Sequence, residues 1–325
     1  MMKKLLVPLL LALICISVVA EPETQLKENQ NGTDVKIYEK GNVFVAPLKY
    51  HISSDSTAEV IKDDSYKKLE SVVIPSEIQV DGHVYSVTSI GESAFSWCSG
   101  LKNIEIPSSV TSIGKSAFYS CLSLTNVNIP SSVTSIGKST FDSCISLSSI
   151  NIPSSVTSIG EGAFSDCISL TSINIPTSVI SIGESAFAFC RDLTSINVSQ
   201  DNLIYSSKDG ILYDKNKTVL IYSPMGKKGT VKIPKSVTSI GNRVFSGCTG
   251  LTSIKIPKSV TSIGDYAFDD CTGLTSIEIP KSVTSIGILA FADCENLEIV
   301  IDNSKENVSV GEDAFYRCKS VKFLK

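Results

Sequence analysis

From Tyr85 to the C-terminus the apolar positions recur with a period that neither a lone helix nor a lone strand produces. Every 23 residues the chain returns to V-T-S-I-G-x-x-A-F-x-x-C-x-x-L-x-x-I-x-I-P-x-S. One clear copy runs Val156-Thr157-Ser158-Ile159-Gly160, then Ala163-Phe164, Cys167, Leu170, Ile173, Ile175 and Pro176. Glycine recurs at Gly91, Gly114, Gly137, Gly160, Gly183, Gly241, Gly264, Gly287 and Gly311, with a phenylalanine four places later in all nine copies. A 23-residue period is too short for a pair of helices and falls in the leucine-rich range, one turn of a coil per repeat. Within the unit, Leu170-x-x-Ile173-x-Ile175 alternates as a short strand does when one face is buried. Successive strands stack in parallel about 4.8 Å apart, so nine rungs make a solenoid roughly 40 Å long. Val156 and Ile159 bury from the return path, and Phe164 with its equivalents forms a ladder between the two walls. The recurrent glycine is expected to supply a turn conformation that a side chain resists. The proline ends strand hydrogen bonding and fixes the corner. The fold class predicted is therefore a β-rich leucine-rich repeat solenoid, with a parallel sheet on the concave face and short strands and turns on the convex face. A right-handed parallel β-helix is the alternative.

Departures from the period mark the domain organisation. Residues 1–20 read as a signal peptide: Lys3 and Lys4 precede the apolar run Leu5 to Val19, with Val18 and Ala20 at the small-residue positions of a cleavage site. Ile14 stands where lipid attachment at Cys15 wants a small residue, which disfavours a lipoprotein. Residues 21–49 are expected as a flexible polar leader and 50–86 as an N-terminal cap, with a hairpin at Val80-Asp81-Gly82-His83. The first repeat block spans 87–198 and the second, with a C-terminal cap, 233–325. Between them the cysteine spacing stretches from 23 to 58. That insertion, 199–232, carries a second hairpin signal at Asp209-Gly210 and is read either as a functional protrusion or as an enlarged rung with its own strands.

The cysteines follow the repeat at Cys98, Cys121, Cys144, Cys167, Cys190, Cys248, Cys271, Cys294 and Cys318. Each thiol sits at the same point of its rung and points the same way, so parallel Cβ vectors are poorly aimed for bonding. No C-x-x-C pair offers converging zinc ligands. The expectation is a reduced core ladder, each Cys partnered by the leucine three residues on, with adjacent disulfides or a metal as alternatives.

With these residues set out, the unit I-P-x-S-V-T-S-I-G-x-x-A-F-x-x-C-x-x-L-T-S-I resembles the treponemal and BspA-like class of leucine-rich repeats. The likeness covers roughly Tyr50 to the C-terminus, and Asp209-Gly210-Ile211-Leu212-Tyr213 is similar to the D-G-x-L-Y element found between blocks of such repeats. The resemblance implies an extracellular or surface protein that binds host matrix proteins, other cells or polysaccharide, some relatives being adhesins for fibronectin and fibrinogen.

Charge narrows the partners. There are 29 basic and 33 acidic residues, and loss of Lys3 and Lys4 with the signal peptide leaves about −6. A mild acidic excess disfavours nucleic acid. No stretch of the mature chain is long and apolar enough to span a bilayer. Chemistry is thin: the two histidines, His51 and His83, lie near the N-terminus, serines sit at fixed repeat positions, and Gly226-Lys227-Lys228-Gly229 lacks phosphate-loop spacing. The chain is therefore read as no enzyme, with no cofactor and no metal.

The exposed strand positions are more informative. Asn128, Asn151, Asn174 and Asn197 form a row one strand spacing apart, suited to a glycan or an extended chain; the plainer reading is an asparagine ladder that keeps the sheet soluble. In the second block Lys235, Lys258 and Lys281 follow the proline where the first block has Ser108, Ser131, Ser154 and Thr177. With Lys255, Lys227, Lys228 and Lys232 they make a basic edge for an anionic glycan or acidic protein, or else a solvated edge. Asn31, Asn197, Asn216 and Asn307 open N-x-[ST] sequons. Function is thus expected to be binding by a secreted or surface protein, an adhesin for host matrix proteins, cells or glycans. The alternative is an envelope scaffold that binds cell-wall polysaccharide.

Overall fold

The computed structural model describes residues 23–28, 34–38, 42–53 and 55–324. The signal-peptide expectation lies outside them, as do Cys15 and Asn31. The repeats wind into a solenoid with parallel strands stacked rung on rung. On one side lies a sheet ladder: Ser71–Val73, Asn103–Glu105 and Asn126–Val127, the bridge between Asn128 and Asn151, then Ser172–Ile175 with Ser195–Val198. On the return path Ser-Ile pairs such as Ser135–Ile136, Ser158–Ile159 and Ser181–Ile182 form a second ladder. Register is one-to-one at the 23-residue step (Ser158 faces Ser181, Ile173 faces Ile196), so each buried isoleucine meets its own copy.

Between the ladders the phenylalanines stack as expected. Centroids lie 5.5, 5.3, 5.6 and 5.9 Å apart from Phe95 to Phe187, with planes within 7° of parallel. Tyr66 starts the stack, 5.2 Å from Phe95, from the short 3-10 helix Asp64–Lys68. Its hydroxyl accepts from the Lys49 amide at 2.6 Å, so the first ring is pinned to the cap.

The cap makes a transition from antiparallel to parallel pairing. Asn42–Val45 and Leu48–Ile52 pair antiparallel, and Thr57–Val60 joins Leu48–Ile52 antiparallel but His83–Ile90 in parallel. One strand thereby closes a meander on one edge and templates the first rung on the other. The hairpin at Asp81-Gly82 forms with φ of 51° and 81°, the left-handed pair that its two-residue turn requires. The stretch expected as a flexible leader departs from that reading. It contains strands Glu23–Glu28 and Asp34–Tyr38, paired antiparallel, the second pairing onward with Asn42–Val45. Val35 and Ile37 alternate with Lys36, a pattern too short to stand out from its polar surroundings.

The recurrent glycine has a different cause from the one expected. None of the nine has a positive φ; the left-handed residues lie two and six places later, as at Ser139, Ser143 and Asp166. Two of those positions are themselves glycine, Gly162 and Gly247. The repeat glycine is needed because the neighbouring rung passes too close: a Cβ on Gly160 meets the Gly137 carbonyl carbon and the Lys138 nitrogen at 2.6 Å. Gly137 is the loosest of the nine, its nearest contact being the movable Thr140 hydroxyl at 3.3 Å. Gly160→Ala is therefore expected to cost about 1–3 kcal/mol by overpacking. Gly137→Ala should cost far less, and urea denaturation of the two variants side by side checks the contrast.

The cysteines form the reduced ladder, and all nine described are free. The leucine three residues on is a partner through the backbone, as in the Leu170 N–H to Cys167 carbonyl bond of 3.1 Å. The thiol has a further partner that spacing within one rung does not reveal. Cys121, Cys144, Cys167 and Cys190 donate to the carbonyls of Phe95, Phe118, Phe141 and Phe164 of the preceding rung, at 3.0–3.2 Å. Burial pushes the thiols of Cys144, Cys190 and Cys248 up to about 12, so they stay protonated donors.

The insertion is an enlarged rung. Tyr205–Lys208 and Ile211–Asp214 pair antiparallel around Asp209-Gly210. Val219–Tyr222 then heads the return ladder of the second block, and Gly229–Lys232 heads its sheet ladder.

Candidate functional site

The exposed face of the sheet ladder carries the candidate residues. Asn128, Asn151, Asn174 and Asn197 are all exposed, because strand alternation turns the flanking Ile and Val side chains into the core. Asn128 faces Asn151 across the bridge and Asn174 faces Asn197 in strand register. The Asn197 amide donates to Asn174 Oδ1 at 3.2 Å, and Ser195 Oγ donates to Asn197 Oδ1 at 2.8 Å. Part of the row thus satisfies itself while leaving amide hydrogens and lone pairs toward solvent. The row stops at the inserted hairpin, whose Gly210 carbonyl accepts the Ile196 N–H at 2.9 Å.

Lys255 continues the asparagine column in the second block, two residues before Pro257 as Asn174 is before Pro176. It faces Lys232 in register. Lys235, Lys258 and Lys281 occupy the corner position after the proline on three successive rungs. All five are exposed, and among the described residues none of them makes an ion pair. Lysines elsewhere do pair across rungs, as Lys102 does with Glu70 and Lys138 with Glu161, each at 2.8 Å. The structure thus places neutral amides on the first block and unneutralised cations on the second, separated by the joint. Among the described residues no group of three or more His, Cys, Asp or Glu gathers to hold a metal. No helix among them is long and apolar enough to cross a membrane.

Motif reading missed an exposed aromatic pair. Trp97 is 56% exposed and meets Tyr119 edge to face at 5.3 Å. Both lie at turn positions where most other rungs carry serine, aspartate or another small residue, so their size in the column is the mark they leave in the sequence.

The sequence profile of the BspA type Leucine rich repeat region matches in six copies over residues 88–209 and 225–325. The chain belongs to the BspA-type leucine-rich repeat family. Solved structures agree in fold. A leucine rich cell surface protein from Faecalibacterium prausnitzii is similar at 25% identity and a TM-score of 0.59, over 87% of this chain and 95% of that one. A leucine-rich repeat protein from Eubacterium ventriosum is similar at 28% identity and 0.62, over 80% and 71%. The pneumococcal vaccine antigen PcpA shares the fold at 21% identity and 0.62, over 87% of each chain. No curated protein matches the chain. BspA-type repeats explain why the core columns are uniform while the exposed columns differ between blocks: stacking constrains only the residues that face the next rung.

Proposed function

We propose that this BspA-type chain is an exported surface protein that acts by binding rather than catalysis, as an adhesin for host matrix proteins, cells or glycans. The observation that carries the reading is the exposed ladder face, where amide and lysine side chains repeat at one-rung intervals with their polar groups largely unspent. A surface of this kind engages an extended partner by repetition, each contact weak and the sum strong. The basic corner of Lys235, Lys258 and Lys281 with Lys255 favours anionic partners and predicts salt-sensitive binding. Neutral Asn128, Asn151, Asn174 and Asn197 favour hydroxyl-rich or peptide partners.

The test presents immobilised chain to fibronectin, fibrinogen, mucin and bacterial wall polymers in turn. Saturable binding to a host component is expected, weakened at least about tenfold by replacing the four lysines with glutamate or the four asparagines with alanine. Binding confined to wall polymers would replace adhesion with an envelope-scaffold role.

A further inference from the structure

The two repeat blocks do not stack flush. In seven of the nine rungs the N–H groups two, four and six places after the glycine donate to the next rung: Gly162, Phe164 and Asp166 reach the carbonyls of Glu184, Ala186 and Ala188 at 3.0, 2.8 and 2.8 Å. On the following rung the equivalent donors are Ser185, Phe187 and Phe189, and all three lack a partner among the described residues. Across the joint, the Asn242 and Ser246 carbonyls, equivalents of Glu184 and Ala188, likewise receive no N–H from the described residues; Val244 receives one, from Ser223 at 2.9 Å.

The cause is a shortened turn. Leu220 pairs with Ile240 and Thr230 with Ser253, yet ten residues separate the first members and thirteen the second. Lacking three residues, the inserted rung cuts the corner at Ser223-Pro224-Met225 and leaves the outer turn position empty. The result is a cleft of about 410 Å³, in the size range of ligand pockets. Phe187, Leu212, Tyr222 and Met225 line its apolar side, and Asn242 and Arg243 its polar rim. Phe189 stands at the mouth, 53% exposed. The last rung also has unpaired donors at Asp313, Phe315 and Arg317, but no rung opposes them within the described residues. Among the described residues, only at the joint do free donors and free acceptors face one gap.

We propose that this cleft binds an extended segment of a partner polypeptide, which takes the place of the missing turn. The cleft continues the rung-to-rung interface, so its occupant must present what a rung presents there. That is carbonyls at alternate residues for Ser185, Phe187 and Phe189, N–H groups for Asn242 and Ser246, and a bulky apolar side chain beside Phe187 and Tyr222. A peptide backbone meets this pattern by adding main-chain hydrogen bonds to an open edge. A sugar has no amide repeat to match it. The site is lined by turn and return-path residues and goes beyond the adhesion reading, which rests on the opposite, sheet-ladder face.

Selection of random linear displayed peptides on the full chain tests the proposal, with amide hydrogen exchange as the direct readout. In the free protein the Ser185, Phe187 and Phe189 amides should exchange far faster than their equivalents Gly162, Phe164 and Asp166. A selected peptide should slow all three by at least about tenfold, and Ala188→Trp, which fills the cleft, should weaken binding by at least about tenfold. Failure to select any peptide, or peptides that leave these amides unchanged, would overturn the proposal. Equal binding to Ser246→Trp, a filler from the opposite wall, would do the same if Ala188→Trp proves unfolded by circular dichroism. Fibronectin, fibrinogen or mucin binding that persists in a cleft-filled variant keeps the adhesion reading separate from this one.

Discussion

Phe164→Ala is expected to lower stability by about 3–5 kcal/mol, the cost of removing a buried aromatic whose site cannot collapse. The ring is fully buried and stacks on Phe141 at 5.6 Å and Phe187 at 5.9 Å. Collapse is blocked because the following rung is tied through this residue's own backbone, while the preceding rung is held by the Phe141 N–H on the Ala163 carbonyl and the Cys167 thiol on the Phe141 carbonyl. The Phe164 N–H donates to the Ala186 carbonyl, and its carbonyl accepts the Cys190 thiol. The void therefore persists, and the neighbouring rings each lose one face of contact. Phe315, half-buried in the last rung with its nearest ring 6.0 Å away, provides the internal comparison and should cost clearly less when truncated. Urea midpoints for both variants test the claim, and a loss below about 1 kcal/mol at Phe164 would show the ladder to be loosely packed. In a repeat array coupling between neighbours carries the cooperativity, so the Phe164 variant is also expected to broaden the transition.

Raising the pH from 7 to 10 should destabilise the fold by several kcal/mol through the thiols. Burial holds Cys144, Cys190 and Cys248 up to about 12 in the folded chain, while an unfolded cysteine titrates at about 8.5. A folded-state value raised above the unfolded one means that the unfolded chain loses its proton first. The stability these groups contribute is therefore complete below about pH 8.5 and is lost as pH rises from there toward 12. At pH 10 each of the three accounts for on the order of 2 kcal/mol. The folded thiolate is doubly disfavoured, since a donor to Phe118 or Phe164 becomes a second acceptor facing a carbonyl. Urea midpoints under reducing conditions should fall with pH across this window. The fall should be shallower in a Cys144→Ala, Cys190→Ala double variant, whose loss of stability at pH 7 is read separately. A flat profile would mean the thiols are reached by water.

The candidate surface was only half legible. The asparagine column and the corner lysines stand out because strand alternation and the proline position can be read locally. Their pairing could not be read that way. Among the described residues Lys235, Lys258 and Lys281 stay without ion pairs while Lys102 and Lys138 find carboxylates one rung away, a difference set by what the adjacent rung places beside each. The joint cleft had one signal, the 58-residue cysteine gap, but a gap in spacing says that residues were added, not that a turn came out three residues short.

The amino-acid sequence by itself determined the rung. Its 23-residue step, the Leu-x-x-Ile-x-Ile strand, the Phe ladder and both Asp-Gly hairpins follow from patterns confined to a few neighbouring residues. Only the tertiary structure decided what each rung does to the next. The repeat glycine answers to the backbone of the preceding rung rather than to its own φ, the thiol to a phenylalanine carbonyl 26 residues back, and the cleft to a register that closes on one side and fails on the other. The physical reason is separation along the chain: local patterning selects the strand and turn, while these contacts exist only once neighbouring coils lie about 4.8 Å apart.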